Sequence, residues 1–159
     1  MSCDAIAFSA LLWLASTGPT AAPNAVPALS APASVAGEPL FADIVRRASG
    51  LRAQAEAYRK SLAADPAAPA VALPGAEAFG TGIAELSALD MKGHLTLKAR
   101  GAVDDLKCIL RGISQDLPEK LAAMSAARTV KEQDLALRDM VYLLNDNVEV
   151  ITAPPQPAA

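Results

Sequence analysis

His94 is the single histidine of this 159-residue chain, and imidazole is the side chain best suited to reversible chemistry near neutral pH. Asp90 stands four residues before it and Lys98 four after, so on a helix the three share one side, with Gly101 one further turn along. An exposed imidazole can accept a phosphoryl group, a lysine one turn away can stabilise its charge, and a small residue beyond leaves room for a docked partner. His94 as phosphoacceptor with Lys98 as its electrostatic helper is the one reactive assignment these residues support. No cofactor or metal is expected. One histidine, without Glu-x-x-His or Cys-x-x-Cys-His, makes neither a di-metal nor a c-type haem site. No glycine-rich phosphate loop follows a strand. Cys3 and Cys108 lie far apart and read as neither a disulfide framework nor a metal-ligand pair. Cys108 has no second histidine to serve as its base and reads as a half-buried structural residue.

The order His94-Leu95-Thr96-Leu97-Lys98-Ala99-Arg100-Gly101 is similar to the His-x-Leu-Lys-Gly pattern of histidine phosphotransfer domains, which are four-helix bundles. Lysine comes one position late and glycine three, so the pattern departs from theirs and family membership is not assigned. The competing reading is a surface histidine beside a helix kink.

The elements that would position His94 are helices. Met91, Leu95, Ala99, Val103, Leu106, Leu110, Ile113 and Leu117 alternate by threes and fours, the stripe of one long helix from Thr81, with two helices meeting in a kink at Gly93 as the alternative. Upstream, Pro39 suits a first helical turn, and Phe41, Ile44, Ala48, Leu51, Ala55, Tyr58 and Leu62 form a heptad seam. Asp65-Pro66 ends that helix, and Pro69 and Pro74 mark a linker. Downstream, Asp116-Leu117-Pro118-Glu119 reads as the start of a short third helix. Thr129-Val130-Lys131-Glu132 reads as the start of a fourth, closed by Pro154-Pro155. The expected fold is all-α, a four-helix and mostly antiparallel bundle with a long central helix over residues 38–153.

Composition agrees. Hydrophobic residues reach 52% while aromatics are 4%, the balance of closely packed alanine- and leucine-rich helices. A net charge of −3 gives no overall electrostatic footprint for nucleic acid, and the basic residues from Lys92 to Arg111 alternate with Asp90, Asp104 and Asp105. Residues 1–37 are alanine- and proline-rich, with Asp4 their one charge, and read as a disordered tail. The Ala5–Ala15 run is too short to span a bilayer but suits the apolar part of an export signal ending near Ser34-Val35-Ala36. No Lys or Arg precedes that run, so a cytoplasmic location is favoured, and a periplasmic or secreted one follows if residues 1–36 are a signal. Residues 154–159 read as a second tail.

These features point to a non-enzymatic protein that works through helix-face contacts, with a protein partner or with itself. The interface candidates are Phe41, Ile44, Leu51, Tyr58 and Leu62 on the first seam. Phosphotransfer through His94 is the alternative function, and an exported helical-bundle protein the second alternative.

Overall fold

A computed structural model describes residues 34–102 and 105–153. The readings made for residues 1–33, for Val103 and Asp104, and for residues 154–159 therefore lie outside the described residues. The described residues form four helices: α1 (Pro39–Ser61), α2 (Ala76–Ala99), α3 (Leu106–Ala126) and α4 (Val130–Thr152). α1 packs on α2, α2 on α3, α3 on α4 and α4 back on α1, which leaves α1–α3 and α2–α4 as the diagonals of a closed square.

Neighbours run antiparallel. Arg52 reaches Asn145 while Arg59, two turns on, reaches Asp134. Ser87 meets Ser114, and His94, later on α2, meets the earlier residue Lys107. The core fills the centre with Phe41, Ile44, Phe79, Ile83, Leu86, Leu110, Leu117, Leu137, Met140, Leu144 and Ile151, each essentially inaccessible. Burying that many large apolar side chains is the main force holding the four helices together.

The fold class is the one expected, but two boundaries move. The long central helix is not divided at Gly93; it stops at Ala99, and a separate α3 begins at Leu106. At Gly93 the helices need closeness: a Cβ there would stand 3.1 Å from Leu110 Cδ1 and 3.4 Å from the Phe41 ring. The stop is made by Gly101, whose φ of 69° is left-handed. Its N–H donates to the Lys98 carbonyl at 3.0 Å and that of Ala102 to Leu97 at 3.0 Å, the paired bonds of a Schellman ending.

The expected helix start at Asp116 is the second correction, because α3 runs straight through Pro118. Proline has no N–H to give the carbonyl four residues back, which is that of Ser114. The Ser87 hydroxyl on α2 donates to this carbonyl instead, at 2.6 Å. Ser87→Ala removes that donor inside the α2–α3 contact. A loss of about 1–3 kcal/mol is expected by urea denaturation, and it should largely vanish when Pro118→Ala restores the helical bond.

Thr129 caps α4, its hydroxyl accepting from the Glu132 N–H at 3.2 Å, while Glu132 accepts from the Arg128 N–H at 2.8 Å. The linker of residues 62–75 is tied down. Ala70 N–H donates to Arg128 O, Val130 N–H to Ala68 O, and the buried Gln133 amide both donates to and accepts from the Val71 backbone.

Candidate functional site

At the bundle's centre are two residues that an apolar core would not choose. Asp90 on α2 and Asn147 on α4 are both completely buried, and Asn147 Nδ2 donates to Asp90 Oδ2 at 2.8 Å. Since α2 and α4 are diagonal, this hydrogen bond crosses the bundle interior. The other oxygen of each side chain, Asp90 Oδ1 and Asn147 Oδ1, is buried with no hydrogen-bond partner among the described residues. Burial pushes the Asp90 carboxyl up from 3.8 to about 8, against the smaller opposing pull of the Asn147 hydrogen bond. Burial therefore favours the neutral acid over the carboxylate at Asp90.

One turn further along α2, His94 is 7% exposed, which corrects the expectation of a surface histidine. Its Nδ1 lies 2.6 Å from the Lys107 carbonyl oxygen. A carbonyl can only accept, so Nδ1 carries the proton and the imidazole stitches α2 to the first turn of α3. Lys107 itself is buried, its Nζ donating to the Ala102 carbonyl. Lys98 is exposed, so the structure separates the proposed helper from the proposed phosphoacceptor: one faces water and the other faces the core. The physical reason is the phase of α2. Its buried side is Phe79, Ile83, Leu86, Asp90, Gly93, His94 and Leu97, whereas Leu95, expected in the core stripe, is 54% exposed.

The interface candidates on α1 are also interior. Phe41, Ile44 and Tyr58 are buried, and Leu51 and Leu62 are half-buried against the same core. Tyr58 stacks edge-on against Phe79 with ring centroids 5.5 Å apart and donates its hydroxyl to the Pro74 carbonyl at 2.7 Å. The seam is real, and its partner is the rest of the same bundle. Cys108 is half-buried on α3 and disulfide-bonded, which corrects its reading as unpaired; Cys3 lies outside the described residues.

The outside of α4 carries what the sequence reading passed over. Leu135 is 39% and Tyr142 64% exposed, two of the three large apolar side chains on the described surface that are so open. They are seven residues apart on one side of the helix, in line with the exposed Lys131, Arg138 and Glu149. Leu135 also borders a cleft of about 300 Å³ between the end of α1, residues 62–66 and the start of α4. Leu62, Pro66 and Val130 line it, and the Arg59–Asp134 ion pair of 2.8 Å forms one wall.

Asn147 was the other omission. It falls in phase with Met140, Leu144 and Ile151, so a polar residue at a core position was the available signal. Among the described residues, no group of three or more His, Cys, Asp or Glu side chains is placed to hold a metal ion, and no helix is long and apolar enough to cross a membrane. No protein-family model, curated protein or solved structure matches the chain.

Proposed function

We propose that the protein is a non-enzymatic helical interaction domain that docks onto a second copy of itself through the outer side of α4. The observation that carries this reading is the exposed line Lys131–Leu135–Arg138–Tyr142–Glu149, with two large apolar side chains between a basic and an acidic end. Set antiparallel against a second copy, Lys131 of each chain meets the exposed Asp146 of the other. Leu135 and Tyr142 of the two copies then fall side by side in the middle. A two-fold axis gives every such contact twice, and this is the commonest geometry of self-association. Tyrosine suits the centre of such a patch, because it buries a large ring at little entropic cost. The cleft beside Leu135 adds Leu62, Pro66 and Val130, beside the Arg59–Asp134 ion pair, at one end of the line. Phosphotransfer through His94 would require the imidazole to leave the interior and give up its bond to Lys107.

Tyr142→Glu places a charge where both copies would meet, on a side chain already 64% exposed. Sedimentation velocity over rising concentrations should show a monomer–dimer equilibrium for the parent chain. The variant should remain monomeric with unchanged helicity by circular dichroism. A parent chain that stays monomeric at every concentration would overturn self-docking.

A further inference from the structure

We propose that Asp90 is a proton-binding site at the centre of the bundle: protonated, it pairs with Asn147 and holds α2 to α4, and on losing the proton to water it drives the two helices apart. No heavy-atom bond changes in this step. The geometry makes the proton chemically specific. Asp90 Oδ2 already accepts from the Asn147 amide, and both remaining oxygens of the pair are acceptors without donors. A proton on the carboxyl turns one of those acceptors into the missing donor, and acid and amide then match as neutral partners. An ionised carboxylate in the same place would be a buried charge with a single hydrogen bond, the arrangement a protein interior tolerates least.

The surroundings offer no countercharge. The antiparallel register brings Ile44 and Ala48 of α1, Leu110 and Ile113 of α3 and Leu144 of α4 to this level, all buried and apolar except for the pair itself. Of the charged groups on those helices, Arg47 is engaged by Asp43 and Glu85, and Arg52 by Glu56 and Asn145. Arg111 is half-buried on α3, and Asp146 is exposed on α4. On α2 itself His94 is bonded to the Lys107 carbonyl, and Lys107 turns to Ala102. Burial and the Asn147 hydrogen bond are the influences that set the Asp90 carboxyl.

The direction of the pH effect follows. The folded chain holds this proton up to about pH 8, whereas an exposed aspartate releases it near 3.8. The stabilisation is complete below the lower value, declines as pH rises between the two, and is gone above the higher one. The folding constant should fall about tenfold per pH unit up to about pH 8 and then level off, a fall of about a hundredfold between pH 6 and pH 9.

The test compares the full chain with Asp90→Asn, which keeps the shape, pairs amide to amide and cannot ionise. Urea denaturation at several pH values should show the parent losing stability steeply from pH 6 to about pH 8 and levelling off by pH 9. The variant should hold nearly level over the same span, and above pH 8 it should be the more stable of the two. Hydrogen exchange on the parent alone, corrected for the intrinsic pH dependence, should show faster opening of amides around Asp90 and Asn147 at pH 9 than at pH 6. That second measurement decides the matter if the variant does not fold. Parallel pH profiles of parent and variant, or exchange protection around the pair that does not change with pH, would overturn the proposal.

Discussion

Phe41→Ala is expected to destabilise the protein by about 3–5 kcal/mol, the usual loss when a fully buried phenylalanine is emptied from a core. Phe41 has no exposed surface, and its ring lies against the glycine face of α2 at Gly93, where the nearest helices close in. A relaxed neighbour cannot easily refill the space, because Gly93 has no side chain to move into it. The substitution also separates two roles for the heptad seam. If that seam met a partner, truncating Phe41 would weaken association and leave the domain folded. As interior, it should lower the denaturation midpoint and leave any dimerisation of the still-folded chain unchanged. Urea denaturation and sedimentation of the same sample give both readouts.

Asn147→Leu is the second large effect. It keeps the same branched outline but removes the hydrogen bond Asp90 receives, leaving a buried carboxyl with neither oxygen satisfied. The cost is about 1–3 kcal/mol for the unmet polar group. Adding Asp90→Leu should recover most of that loss, since two apolar residues need nothing from each other but contact. A double-mutant cycle at pH 6 should therefore return a coupling of about 0.5–3 kcal/mol between positions 90 and 147. Independent, additive losses would mean the two side chains do not act as a pair. The single variant should also carry an Asp90 carboxyl pushed higher still, because the Asn147 hydrogen bond is the influence that lowers it.

Much of the architecture was legible because apolar spacing is a direct record of burial. The α1 seam from Phe41 to Tyr58 occupies the face its periodicity indicates, and Leu106, Leu110, Ile113 and Leu117 do the same on α3. Thr129 caps α4 through the Thr-x-x-Glu signature. α2 was misread for an equally physical reason. Its buried side has Asp90, Gly93 and His94 in the middle, so the apolar residues next to them, Met91 and Leu95, marked the wrong face. That error of phase turned an interior histidine into an apparent surface one. Gly101 was read as space for a docked partner, whereas its left-handed backbone ends the helix. Pro118 signalled a helix start that Ser87, far away in sequence, makes unnecessary by satisfying the orphaned carbonyl. The exposed pair Leu135 and Tyr142 could not be told from core residues until the bundle showed which side of α4 it covers.

The most direct measurement is the ¹³Cγ chemical shift of Asp90 across the pH range, with the resonance assigned by its disappearance in Asp90→Asn. A neutral acid–amide pair in the bundle interior predicts a protonated-carboxyl shift at pH 6 that changes only as the pH approaches about 8. A carboxylate shift at pH 6, with titration near the ordinary aspartate value of 3.8, would contradict the protonated Asp90–Asn147 centre.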